Sequence, residues 1–241
     1  MDNMSEKFIG LSVVWLTVVC STFGAPVEVP GQVDPAPLDA MLRRYVDDRG
    51  LVNYRAWKAS AADLEALKGW LAKLDGTGAV GDDKAATLIN AYNALTIGWI
   101  LHNYPVKSIK ATNNPWGAKR HRLGGRLVSL DEIEHDTLRP QLGYRVHAVL
   151  VCAAKSCPPL RAGAFTANRL PDQLDDRFRV WLAREDLNSF DAGKGRAELS
   201  KIFSWYAKDF PDLTAVLAKY GPVKGEYKIG YKSYNWALNE Q

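Results

Sequence analysis

Residues 84–104 read KAATLINAYNALTIGWILHNY, and this stretch decides the fold. Its apolar residues occupy nearly every direction around a helix of 3.6 residues per turn. A helix with no polar face has to be covered on all sides. Pro105 ends it, and Asp82 or Asp83 is placed to cap its start. The rest of the chain must supply that cover. Before the helix, Pro37 opens a segment with Leu38, Met41, Leu42 and Tyr45 on one face. Leu64, Leu67, Trp70, Leu71 and Leu74 repeat at helical spacing within residues 61–74, and residues 52–57 read as a short extended piece.

After the helix, Gly124-Gly125 lies between RHRL and RLVSL, the signature of a two-residue hairpin turn. Ser129 and Glu132 have capping-box spacing at the head of the next helix. Residues 146–153, VHAVLVCA, are short, apolar and β-branched, which predicts a strand buried on both faces. Helical patterns follow at residues 166–184 and 199–210, and a Tyr-rich extended tail closes the chain. The expectation is α+β: one helix-rich domain over residues 38–241, with a small, mostly antiparallel sheet around a buried helix and strand.

At the other end, residues 8–20 form an apolar run preceded by Lys7 and followed by Thr22 and Gly24, small residues at −3 and −1 of a cut before Ala25. Residues 1–24 therefore read as a signal peptide, and the product as exported, periplasmic or secreted. The rival reading is an uncleaved anchor, which the shortness of the run disfavours; cleavage would leave no transmembrane anchor. Residues 25–37 are rich in proline and read as a linker or a draped arm.

Composition narrows the function classes. With 241 residues, 47% of them hydrophobic, and with 8 Trp, 10 Tyr and 7 Phe, the chain can build a full core. The net charge is +4, without a concentrated basic stripe, so nucleic acid is not an expected partner. P-loop, HExxH, GxSxG and CxxC motifs are absent, and the four histidines are not spaced as ligands, so no metal or other cofactor is expected.

Three features could carry chemistry. Asn90 and Asn93 share a face of the buried helix. Two buried amides need partners, and these are either a neighbouring loop backbone or a reacting group. His147 sits where the 146–153 segment leads into a thiol loop, either as a satisfied core group or as a base. Lys155-Ser156-Cys157-Pro158-Pro159 presents a thiol on a stiffened loop, with Lys155 and Arg161 near it in sequence to favour thiolate or to hold substrate. The alternative for Cys157 is a disulfide with Cys152, natural in an oxidising compartment.

These residues also carry a family resemblance. LINAYNALTI, NYPVKSI, LVSLDEIEHDTLRP, VHAVLVCAAKSCPPLR, LSKIFSWYAKDF and YNWALN occur in the order seen in the family called domain of unknown function 547. The chain resembles that family from about Leu38 to Leu238, departing from its pattern at Thr87-Leu88 and at Ala153, where the family usually has glycine. The resemblance implies an α+β domain, often exported in bacteria. It further implies functional positions at Asn90, Asn93, Glu132, Glu134, His135, Cys157 and Arg139. Relatives beside glutaredoxin-like domains hint at thiol chemistry.

The preferred functional expectation is a cysteine-dependent hydrolase or acyl transferase acting on peptide or amide bonds. Cys157 would be the nucleophile, His147 or His135 the base, and Asn90 or Asn93 the group that orients the base or holds an oxyanion. The first alternative is a non-catalytic envelope module that binds a small molecule, peptide or glycan on a groove of aromatics such as Trp116, Trp181, Trp205 and Tyr234. The second is a thiol-redox protein using Cys152 and Cys157, disfavoured by their spacing.

Overall fold

The helix anticipated at residues 84–104 is α4, Gly81–Asn103, and every residue from Ala85 to Ile97 within it is buried. The computed structural model describes residues 24–241, so the segment read as a signal peptide lies, apart from Gly24, outside the described residues. Neither Asp82 nor Asp83 caps α4. The helix starts earlier, at Gly81 with φ +55°, behind Val80, which offers no side-chain acceptor. Asp83 instead accepts the backbone N–H of Gln32 at 3.0 Å. At the far end Tyr104 is extended ahead of Pro105, as the proline requires.

Helices α1 (Ala36–Tyr45), α2 (Tyr54–Ala59) and α3 (Ala61–Ala72) cover one flank of the core. Leu38, Met41, Leu42 and Tyr45 of α1 are all buried, as their spacing predicts. Residues 54–59 are helical where an extended piece was expected. Asn53 accepts the N–H of Ala56 and starts a helical turn that seats Trp57 against Tyr45, ring centroids 4.7 Å apart. The proline-rich arm is draped along the domain. Val27 and Val29 are fully buried, the Val27 N–H donates to Thr137, and Trp70 donates to the Asp34 carbonyl.

The hairpin forms as read, pairing β1 (His121–Leu123) with β2 (Arg126–Val128) through Gly124 and Gly125, both at positive φ. The capping box forms reciprocally: Glu132 N–H donates to Ser129 Oγ at 3.1 Å, and Ser129 N–H to the Glu132 carboxylate at 2.9 Å. The helix it opens is wound as a π-helix over Glu132–Leu138 and continues as α5, Arg139–Leu142.

The strand expected at residues 146–153 does not form. Gly143–Ala148 is a 3₁₀ turn, and the chain then runs on without a neighbouring strand. The segment is buried, as its composition required, but its backbone is paired by a side chain. Asn93 donates to the Val149 carbonyl and accepts from the Val151 N–H, both at 2.9 Å. An amide group reproduces the pair of hydrogen bonds that a strand would have supplied.

The remaining elements are α6 (Leu170–Leu182), α7 (Lys201–Trp205), α8 (Leu213–Tyr220) and a sheet ordered β3 (Ser189–Asp191), β4 (Arg196–Leu199), β5 (Lys228–Tyr231). β3 and β4 are antiparallel, β4 and β5 parallel. Both outer strands are partly exposed, so this sheet borders the core and is not wrapped around α4. The architecture is α+β. Phe178, Trp181, Phe203 and Phe210 stack into an aromatic core behind α7, with Trp181 parallel to Phe203 at 4.7 Å.

Candidate functional site

Six stretches of chain meet at one cavity of about 410 Å³. Tyr92 enters from α4, Trp116 from the 114–117 loop, Asp131, Glu134 and His135 from the π-helix and the turn before it. His147, Leu150, Cys152 and Cys157 come from the thiol segment, Ile202 and Trp205 from α7 with Tyr206 just after it, and Tyr234 and Trp236 from the tail. π-Helical winding is uncommon and recurs at functional sites, because it re-aims side chains on an otherwise regular helix.

The thiol loop is held from both sides. Asn93 fixes its entry, and the tail straps its exit: Lys155 N–H donates to Ala237, Ser156 N–H to Asn235, and Asn239 N–H to Ala153. Ala153 adopts φ +58°, a left-handed conformation that costs a residue with a Cβ about 1–2 kcal/mol. This is the position where the resemblance anticipates glycine. Gly50, at φ +78°, lies so close that a Cβ there would stand 2.5 Å from Leu160 N and 2.7 Å from Pro159 Cα. Pro159 is thus pressed against the turn that follows α1.

Cys152 and Cys157 are both free thiols. Cys157 Sγ accepts the Cys152 N–H at 3.1 Å and lies 3.2 Å from the Tyr234 hydroxyl, which also lies 3.3 Å from Cys152 Sγ. Burial raises the Cys157 thiol, but hydrogen bonds from Cys152, Tyr234 and the loop backbone outweigh it and leave the group below an ordinary thiol. Cys152 is pushed well up by its hydrogen bond to Cys157 and by burial. Among the described residues no histidine hydrogen-bonds the Cys157 sulfur.

The histidines belong to a second network on the same cavity. His147 Nε2 lies 2.6 Å from Asp209, which also takes a bidentate pair of bonds from Arg139 at 3.0 and 2.8 Å. Arg139 in turn reaches His135 Nδ1 at 2.9 Å and lies over the Tyr206 ring. Burial, stronger than the opposing pull of Asp209, lowers the His147 pKa to about 4, so the ring is neutral at pH 7. With Nε2–H donated to Asp209, the neutral tautomer leaves Nδ1 as its acceptor. Glu134 is raised above the usual carboxylate range by desolvation, despite 3.3 Å bonds from Tyr92 and Tyr206.

Of the residues singled out in the sequence, Cys157, Cys152, His147, His135 and Glu134 line the cavity, and Arg139 stands behind it. Asn90 and Asn93 do not line it. Asn90 exchanges two 2.8 Å bonds with the Phe165 backbone, and Asn93 is spent on Val149 and Val151, which leaves neither amide to orient a base or hold an oxyanion. Glu132 is occupied by the capping box and by Arg126 and Lys119. Lys155 is exposed off the cavity, and Arg161 bonds the Ala164 carbonyl. Trp116, Trp205 and Tyr234 form the expected aromatic wall with Trp236; Trp181 is core. Sequence reasoning missed Asp209, Tyr206, Tyr92, Asp131 and Trp236. All five lie inside strings that carry the resemblance, which was the available signal.

Among the described residues no cluster of three or more His, Cys, Asp or Glu could hold a metal ion, and no helix is long and apolar enough to cross a membrane. Residues 79–182 match the family described as "Protein of unknown function, DUF547", so the chain carries a domain of this family. Comparison with curated proteins and with solved structures returned no match.

Proposed function

We propose that this DUF547 domain supports a cysteine-dependent hydrolase or acyl transferase, acting on peptide or amide bonds outside the cytoplasm. The observation that carries the reading is the free Cys157 thiol on the wall of a sizeable cavity, with donors around its sulfur that favour thiolate. Attack by Cys157 Sγ on the acyl carbon forms a thioester and breaks the C–N bond. His147, neutral and oriented by Asp209 on the same cavity but without a direct bond to the sulfur, would act as the base that takes the thiol proton and returns it to the leaving amine. Water, or an acceptor amine in a transferase, then releases the acyl group and regenerates the thiol. No group of the cavity sits where Asn90 or Asn93 was expected to act, so the Cys152 N–H and the Tyr234 hydroxyl are the nearest candidate donors to a developing oxyanion.

Export rests on the apolar run at residues 8–20 together with Lys7 before it and Thr22 and Gly24 after it. A second reading, a binding module for a peptide or glycan, is favoured by the 48% exposure of Trp205 on the aromatic wall. The test is alkylation of the folded protein with iodoacetamide, with and without reductant, followed by peptide mapping and amide-hydrolysis assays on Cys157→Ser. The nucleophile reading expects Cys157 to be modified first without reductant and all hydrolysis to vanish in the variant. Ligand binding that survives in Cys157→Ser, with no labelling of Cys157 in any native sample, would replace it with the binding module.

A further inference from the structure

The cavity carries an unbalanced charge. Its lining includes two carboxylates, Asp131 and Glu134, and no lysine or arginine. Arg139, the nearest guanidinium to this network, is committed to Asp209 through two hydrogen bonds. His147 is neutral, and His135 uses Nδ1 on Arg139. Glu134 is a desolvated carboxylate whose hydrogen bonds come from two tyrosine hydroxyls at 3.3 Å, long for a charged acceptor, with His135 Nδ1 no nearer than 3.9 Å. Desolvation lifts its pKa against the weaker opposing pull of His135, Arg139 and the two hydroxyls.

The same cavity has an electron-rich aromatic wall. Tyr234 and Trp236 lie 4.5 Å apart, Trp205 and Tyr234 4.8 Å, and Trp116 meets Trp236 edge-on. Trp236 already holds the Lys110 ammonium 4.7 Å from its ring centroid. Aromatic faces joined to an under-partnered carboxylate make a site for a cation, where ring quadrupoles and the carboxylate act together on a charge removed from water.

We infer that the cavity selects substrates bearing an ammonium group, held against Glu134 and the Trp205–Tyr234–Trp236 wall. Resting on the reading of Cys157 as nucleophile, this names the substrate class as amides or peptides with a positively charged amine near the scissile bond. A cavity of about 410 Å³ has room for both groups. A neutral substrate of the same shape would leave the desolvated carboxylate with only the two long tyrosine hydrogen bonds.

Binding separates this inference from the chemistry. In full-length Cys157→Ser, choline and its uncharged isostere 3,3-dimethyl-1-butanol are titrated against tryptophan fluorescence. Choline should bind at least about tenfold more tightly. Glu134→Gln, which keeps an acceptor for one tyrosine hydroxyl and offers its amide N–H to the other, should remove that preference while leaving the affinity for the alcohol unchanged, the latter serving as the check on folding. Trp205→Leu, at an exposed position, should weaken choline several-fold. Equal affinity for the two ligands, or a preference that survives Glu134→Gln, overturns the inference even if Cys157 alkylates as expected. Ammonium selectivity with an unreactive Cys157 would sustain it and remove the acyl-transfer reading instead.

Discussion

Replacing Asn93 with leucine tests the link between the buried helix and the thiol loop. The side chain is 4% exposed and makes two 2.9 Å bonds, one to Val149 O and one from Val151 N–H. Leucine has nearly the same shape and can make neither. Each buried backbone group left without a partner costs about 1–3 kcal/mol, so the pair costs about 2–6 kcal/mol. The new apolar contact returns part of this, no more than about 1.5–3 kcal/mol. The expected net loss is about 0.5–3 kcal/mol, a sizeable share of the about 5–15 kcal/mol that holds a typical domain folded. Urea unfolding followed by tryptophan fluorescence measures it. Asn93→Asp supplies a control: its carboxylate can still accept from Val151 but repels the Val149 carbonyl, and protonation restores a donor. That variant should regain stability on mild acidification, whereas Asn93→Leu should not. In both, slower alkylation of Cys157 is expected, because the segment leading to it loses its anchor. If Asn93→Leu unfolds within about 0.5 kcal/mol of the parent, the argument that this amide stands in for a missing strand is wrong.

Three further outcomes follow from the same geometry. Tyr234→Phe removes a hydroxyl shared by both sulfurs; the midpoint of the pH profile for Cys157 alkylation should move upward with little change in unfolding, and an unmoved midpoint would discount that hydroxyl. Gly50→Ala introduces a Cβ at φ +78° against the Pro159–Leu160 backbone; a loss of at least about 1–2 kcal/mol is expected in thermal unfolding, and an unaltered midpoint would show that the contact yields freely. Burial raises Glu132, but its bonds to Arg126, to the Ser129 N–H and to Lys119 prevail and bring it from 4.5 down to about 2. A carboxyl depressed in the folded state contributes stability above its unfolded pKa and loses it as pH falls through the folded value. The stability gap between the parent and Glu132→Gln should therefore be constant above about pH 5 and close as pH approaches 2; a gap independent of pH would deny the carboxylate this role.

Local signals were legible where the physics is local. Ser129 and Glu132 exchange hydrogen bonds three residues apart, Gly124-Gly125 supplies the positive φ of the hairpin turn, and the all-round apolar pattern of α4 requires burial whatever covers it. Cys157 could be singled out because prolines and its loop composition mark it within a few residues. The 146–153 segment was misread because an apolar, β-branched run states only that it is buried. Whether a strand or a side chain completes its backbone depends on Asn93, 56 residues before Val149. The same separation hid the proton-carrying groups: Asp209 meets His147 across 62 residues, and Tyr234 meets Cys157 across 77. Trp181 and Trp205 look alike in sequence, yet one is fully buried and the other is 48% exposed on the cavity wall. Propensity, caps and turns are set by neighbours along the chain. Which buried polar groups find each other, and which aromatic face stays open, is settled only when distant segments pack, because a desolvated donor or carboxylate takes its partner from whatever the fold brings within 3 Å.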